Sequence, residues 1–407
     1  MIRILDYKHA AALVSRKTAR LEEAENIVAP ILADVRKRGD TALLEYARRF
    51  DGFTGSTVRI DVAGSLQPEL QCAIETAAGN IRENSLRQLP RESFVDYPDG
   101  RRIGEIVRPM DSAGAYIPAG RFPLLSTLLM TVIPAQVAGV ENICVACPNP
   151  VPEILGVAAW LGVNNLFRMG GAQAIAALAY GTETVPKTDC IVGPGNIYVA
   201  AAKKLIAGEV AIDFVAGPTE IVIIAADGNP AWIAADMLAQ AEHDVDASSI
   251  LLTTSRSLAE SVAVEIERQL SLLPTAAVAR PSIDHNGAII VVDSPARAVE
   301  ISNALAPEHL SLHDPSLLGG IRHAGGIFLG PWSTEAAGDY ASGPNHVLPT
   351  SGAARMYGGL STAHFVKMIS VQELSPPGLA KLRAPITTLA RAEGLEAHAR
   401  SVEVRFA

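Results

Sequence analysis

The feature that most constrains this chain is an alternation, sustained from Gly114 to Leu329, of short apolar runs with alanine-rich segments of helical length. Runs of this kind bury strands on both faces and supply a helix for every crossover, so they build parallel sheets covered by helices. Ala115-Tyr116-Ile117 leads into a buried helix over Pro123 to Val140, and strands are expected at Ile143 to Ala146, Leu166 to Met169 and Cys190 to Val192. Gly170-Gly171-Ala172-Gln173 and Gly193-Pro194-Gly195-Asn196 each open a helix at a strand end. Glycines there let backbone N–H groups approach a phosphate or another anion. Ordinary tight turns use the same residues, and Gly193-x-Gly195 lacks the third glycine of a dinucleotide fingerprint.

A second run begins at Glu220, with strands expected at Ile221 to Ala226, Ile250 to Thr254 and Ala288 to Val292. Asn229-Pro230 starts a helix with a capping side chain and a proline at its first position, and Ser294-Pro295 repeats the device. The part before Gly114 reads instead as helices. Leu21, Val28, Leu32 and Val35 recur at helical spacing, Gly39 ends that run, Asp40 can cap the next helix through Phe50, and another amphipathic helix follows Pro68.

A chain of 407 residues, 49% of them hydrophobic, can bury large cores and suggests two or three domains. Its formal net charge of -9 offers no broad positive field for nucleic acid or an anionic membrane, so small ligands are the expected partners. The longest apolar region, Pro123 to Val140, is interrupted by Ser126, Thr127, Thr131, Pro134 and Gln136, which suits a buried helix better than a membrane span. Met1 to Arg20 has an apolar patch around Ala10 to Val14 but no signal-peptide pattern, so a cytoplasmic protein is expected. Cys144 and Cys147 lie on a strand running into a loop, with no second Cys-x-x-Cys to complete a zinc site; with Cys72 and Cys190 they read as small buried hydrophobes.

Proton chemistry points to Ala306-Pro307-Glu308-His309-Leu310, where an acid and an imidazole stand side by side after a helix-ending proline. In a regular strand they would face opposite ways, so a shared site requires an irregular backbone between Pro307 and Leu310. Gln240 and His243 project together from the end of one helix. An irregular glycine-rich stretch, Gly338 to His346, carries Asp339 and His346, and the tail is expected to hold a helix over Ile386 to Ala399 with His398, then a short strand over Ser401 to Arg405. Gln240, His243, Asp339 and His398 offer donors that suit zinc or manganese. They come from three distant segments, and solvated or hydrogen-bonded side chains would look the same.

Longer motifs narrow these readings. Gly39-Asp40-x-Ala42-Leu43, Phe50-Asp51-Gly52, Ala115-Tyr116-Ile117-Pro118, Ser126-Thr127-x-Leu129-Met130, Gly170 to Leu178 and Val192 to Asn196 occur in order with Ala216-Gly217-Pro218-Thr219-Glu220. Gln240-Ala241-Glu242-His243, Ala306 to Leu310, Gly338-Asp339-Tyr340, Gly343 to Thr350 and Glu393-Gly394-Leu395-x-x-His398 complete the series, and over nearly its whole length the chain resembles the histidinol dehydrogenase family. The resemblance implies a zinc-containing, NAD-dependent enzyme that oxidises L-histidinol to L-histidine through L-histidinal. It implies an α/β homodimer of two incomplete Rossmann-like domains plus small terminal segments, with the tail of one subunit completing the partner's site. The expected division is residues 1–20 as an N-terminal segment, 21–112 with 220–356 as the first domain, 113–219 as the second, and 357–407 as a lobe against the partner.

By the same resemblance Gln240, His243, Asp339 and His398 hold zinc, His309 is the general base and Glu308 activates water. Thr219, His346 and Glu393 join the metal ligands and His309 at the substrate, while Tyr116, Gln173 and Asn196 contact NAD. The chain departs from the family pattern at Ala119-Gly120-Arg121-Phe122, where two glycines commonly follow the proline. Arg121 is a possible anion contact there, and the alternative substrate is another amino or sulfonated alcohol.

Overall fold

The computed structural model describes residues 2–7, 19–118 and 122–407. The apolar patch at 10–14 and the departures Ala119 and Arg121 lie outside the described residues, whereas Phe122 lies within them. Two six-stranded sheets carry the structure. The first has the spatial order Arg59–Ile60, Asn165–Phe167, Asn142–Ala146, Ser112–Tyr116, Cys190–Val192, Ala211–Ile212, parallel except for its short first strand. The second has the order Arg3–Asp6, Ala288–Val291, Ser248–Thr253, Glu220–Ile224, His309–Leu312, Gly326–Leu329 and is parallel throughout. Without its outermost added strand each sheet runs third, second, first, fourth, fifth in chain order, the doubly wound Rossmann-like order. The expected pair of incomplete Rossmann-like units is therefore present.

Helices cover both faces of the central strands, whose residues are buried on both sides, whereas the edge strands stay partly exposed. The helix Leu125–Ala138 is buried nearly all round, which accounts for its lack of a polar face. Thr131, which interrupts its apolar run, is accommodated locally, as its Oγ1 donates to the Thr127 carbonyl at 2.7 Å.

The grouping of segments differs from the expectation. Helices Ala19–Arg38 and Asp40–Asp51 pack on Ile197–Ile206 and Gly171–Tyr180, and helix Pro68–Gln88 packs on Leu125–Ala138. The helices of residues 21–88 thus pack chiefly on the helices of the 112–212 sheet, although Asn80 Nδ2 also donates to the Ala341 carbonyl at 2.8 Å. Their apolar stripes specify that a face is buried but not which sheet buries it. Of the expected N-terminal segment, Arg3–Asp6 pairs with Ala288–Val291 as an outer strand of the second sheet.

A third, antiparallel sheet joins Ser93–Asp96, Arg101–Pro109 and Val366–Leu374, so the C-terminal region is tied to residues 93–109. Beyond it stand two helices, Pro376–Ala392 and Glu396–Glu403, where one helix and a final strand were expected. Gly394, at φ 78°, breaks the helix in a left-handed conformation that glycine adopts readily. Residues Val404–Phe406 form a further helical turn in place of the expected strand. Cys144, Cys147 and Cys190 are buried as expected, but Cys72 is exposed, since its helix turns that side to solvent.

Candidate active site

The site is built around the central strands of the second sheet. Helix Pro295–Leu305 ends at Ala306, which adopts the left-handed conformation (φ 49°, ψ 62°) and donates its N–H to the Ser302 carbonyl at 2.8 Å. The sharp exit sets up Glu308 just ahead of strand His309–Leu312, whose register is held by Gly325 N–H to Pro307 O (2.9 Å) and Gly326 N–H to Glu308 O (2.8 Å). The irregularity needed for a shared site lies one residue earlier than expected, at Ala306. Glu308 and His309 consequently do not face apart: Glu308 Oε2 stands 3.7 Å from His309 Nδ1.

Both groups are almost fully buried, and burial decides their ionisation. It pushes the Glu308 carboxyl up to about 8, although the Thr219 hydroxyl (2.5 Å) and the Glu220 N–H (2.9 Å) donate to Oε2. Burial pulls His309 down to about 4, against the pull of Asp339. His309 is therefore a neutral imidazole at neutral pH. Its Nδ1–H can donate to the Glu220 carbonyl at 3.3 Å, which leaves Nε2 as the lone-pair nitrogen. That Nε2 is buried with no hydrogen-bond partner among the described residues and lies 3.8 Å from Asp339 Oδ1.

Gln240 and His243 arrive from the end of helix Pro230–Ala241, as expected from their spacing. The Gln240 amide is fully buried; its Nε2 donates to Thr219 Oγ1 (2.7 Å), whose own hydrogen goes to Glu308, and its Oε1 accepts from His309 Nδ1–H (3.1 Å). His243 Nε2 lies 3.7 Å from Asp339 Oδ2. Asp339 belongs to a short helix, Glu335–Tyr340, where an irregular stretch was expected; the Thr334 side chain caps it by accepting from Ala337 N–H. Burial raises the Asp339 carboxyl, but the nearby imidazoles of His243, His309 and His346 outweigh it and hold the group below the usual carboxylate range. His346 Nδ1 donates to the Asp339 carbonyl (2.8 Å) and its Nε2 faces Thr127 Oγ1 (3.1 Å).

Donor atoms of His243, Glu335 and Asp339 lie within 4.8 Å of one another, so the cluster has the nitrogen and oxygen chemistry and the compactness a divalent cation such as zinc requires. Glu335 was missed in the sequence, where nothing but the capping threonine ahead of it marks an acid about to be buried. Burial, then Asp339 and Glu308, push its carboxyl well above the ordinary range. Thr127 was quoted only within a motif and proves to face His346. The tail is the part that one chain does not bring in: Glu393 and His398 are exposed on the C-terminal helical region, and none of the hydrogen bonds or ion pairs of the described residues ties them to the cluster.

Beside this cluster lies a cavity of about 910 Å³ that reaches from His243 to the carboxyl edge of the first sheet. Tyr116, Gln173 and Asn196 all line it. Tyr116 ends strand Ser112–Tyr116 and accepts from Gly171 N–H at 3.1 Å; Asn196 caps helix Ile197–Ile206, its Oδ1 accepting from Tyr198 and Val199 N–H, both at 3.1 Å. The sheet order reverses between strands Ser112–Tyr116 and Cys190–Val192, and open α/β sheets bind ligands outside their carboxyl ends at such a reversal. The second sheet offers its amino edge instead, since Glu220 and His309 both begin their strands.

A doubly wound sheet whose reversal point opens on a cavity of this size, with His243 of the polar cluster in its wall, is the arrangement of a two-domain Rossmann-like dehydrogenase. Comparison with known proteins sharpens this. The profile of the histidinol dehydrogenase family matches residues 14–406. The histidinol dehydrogenase of Halalkalibacterium halodurans is 49% identical over 94% of this chain and 94% of its own, and that of Methanothermobacter thermautotrophicus is 47% identical over 98% of both. A solved histidinol dehydrogenase from Elizabethkingia anophelis superposes with a TM-score of 0.93 at 38% identity, covering 100% of this chain and 98% of that one. The chain belongs to the histidinol dehydrogenase family, and it is an NAD-dependent oxidoreductase.

Proposed function

We propose that the cleft oxidises L-histidinol to L-histidine in two NAD-dependent steps through L-histidinal, the last step of histidine biosynthesis. The observation that carries this reading is the unpartnered, buried Nε2 of a neutral His309 aimed at a cluster of nitrogen and oxygen donors. Departure of a hydride from an alcohol carbon requires loss of the hydroxyl proton, and His309 Nε2 is the acceptor for it. Oxidation of the aldehyde requires water, and Glu308, held by Thr219 and Glu220 N–H, is the carboxyl placed to take a proton from that water once ionised. His346, fixed by the Asp339 carbonyl and Thr127, and Thr219 bound the substrate.

Gln240, His243 and Asp339 would hold a zinc ion, with His398 supplied by the tail of a second copy in a homodimer and Glu393 reaching the substrate from the same tail. A bound zinc ion would orient an imidazole-bearing alcohol as a Lewis acid and template. Tyr116, Gln173 and Asn196 would contact NAD at the reversal point of the first sheet. Four free cysteines suit a reducing cytoplasm.

The test is NADH formation from L-histidinol by the zinc-loaded protein, before and after chelation. His309→Asn is expected to lower kcat about 10²- to 10⁴-fold, and Glu308→Gln to slow the aldehyde step more than the alcohol step. Mixing the inactive His309→Asn and His398→Asn proteins should restore part of the activity if tails are exchanged between subunits. A zinc-loaded protein that binds NAD and yields no NADH with histidinol would refute the reading.

A further inference from the structure

We propose that Asp51 selects the cofactor, its Oδ1 accepting a hydrogen bond from a ribose hydroxyl of NAD and its charge repelling the 2′-phosphate of NADP. The proposal rests on the reading of the 910 Å³ cavity as the dinucleotide site. Asp51 is the last residue of helix Asp40–Asp51, and Gly52 turns the chain there in the left-handed conformation (φ 61°, ψ 28°). The carboxylate is thereby set against the strand-to-helix turn at Gly170-Gly171, at the carboxyl edge of the first sheet. Two donors converge on one oxygen: Gly170 N–H and Gln173 Nε2 both bond to Oδ2, each at 3.1 Å. No hydrogen bond from the described residues falls on Oδ1, although Asp51 lines the cavity and is half-buried. The guanidinium of Arg168 does not occupy it either, being stacked over Phe53 at 5.7 Å.

A carboxylate with one satisfied and one open oxygen at the wall of a dinucleotide cavity suits a hydroxyl, which donates. It is hostile to a phosphate dianion, which has only acceptors and like charge. The described residues that line the cavity include no lysine or arginine, and Asp244 adds a second acid; the charge of Arg168, outside that lining, does reach Asp51. Ile27, Ile31 and Phe50 supply the apolar surface beside Asp51 that a purine would cover, leaving the His243 end for the reacting ring. Asp51 also anchors Gln173, so its variants report selection only if positioning is measured separately.

The experiment uses the zinc-loaded, full-length enzyme with saturating histidinol and compares wild type, Asp51→Asn, Asp51→Ser and Gln173→Ala with NAD and with NADP. Asp51→Asn keeps the shape and the acceptor for Gly170 and Gln173. It is expected to raise KM for NAD about tenfold, the worth of a charge-assisted hydrogen bond, with kcat within about twofold. The ratio of kcat/KM for NADP over NAD should rise at least about tenfold in Asp51→Asn and further in Asp51→Ser, which opens space. Gln173→Ala should raise KM for NAD without moving that ratio. A ratio unchanged in both Asp51 variants overturns the proposal, even where both cofactors weaken in parallel. A KM for NAD untouched by Gln173→Ala overturns the dinucleotide reading of the cavity as well.

Discussion

Glu308→Gln tests whether burial governs the site. The native carboxyl holds its proton to about pH 8, while an unfolded glutamate releases it near the ordinary 4.5. Between those limits the unfolded state is the one that loses the proton, so ionisation stabilises it and folding stability declines as pH rises. The slope is about 1.4 kcal/mol per pH unit for one proton. Integrated from about pH 5.5 to about pH 8, with the native group half ionised at the upper end, the loss is roughly 3 kcal/mol. Glutamine fills the same space, its amide oxygen can accept from Glu220 N–H, and it does not titrate. The stability of Glu308→Gln relative to the parent protein should therefore improve by roughly 3 kcal/mol across that range. The measurement is urea unfolding of chelator-treated protein at a series of pH values, taken as a difference so that His309, Glu335 and all other groups cancel to first order. Parallel profiles for the two proteins, within about 0.5 kcal/mol, would show that the native carboxyl is ionised throughout and would refute the argument.

Lys203 and Asp213 form a buried ion pair that also grips Gly193 through its N–H (2.8 Å to Asp213) and its carbonyl (3.0 Å from Lys203 Nζ). Lys203→Met should cost about 3–5 kcal/mol in urea unfolding, because it leaves Asp213 buried and uncompensated. Gly193 sits at φ 114°, and a Cβ there would collide with the Tyr116 carbonyl. Gly193→Ala should thus raise KM for NAD and lower the melting temperature together, and a variant indistinguishable from wild type in both would count against this turn as the cofactor cradle. For the thiols, a disulfide reagent should label Cys72 in the native protein and reach Cys144, Cys147 and Cys190 only after unfolding, since burial pushes these three up to about 11, 11 and 12.

Much of this was readable in the chain. Alternating apolar runs and alanine-rich helices determined the parallel sheets, because a strand buried on both faces must be uniformly apolar and each crossover needs a helix. Asn229, Pro230, Ser294 and Pro295 marked helix starts through local hydrogen bonding and fixed φ, which depend on near neighbours alone. The spacing of Gln240 and His243 placed both at one helix end for the same reason. Tertiary structure decided what no local rule carries. It assigned the first helices to the 112–212 sheet, since an apolar stripe does not name its partner. It brought Glu335 from a distant segment under Gln240 and His309, and it turned two adjacent residues into one site by forcing Ala306 into a left-handed exit. It also set the ionisation of Glu308 and His309, because desolvation is a property of the packed interior that residue identity alone does not contain.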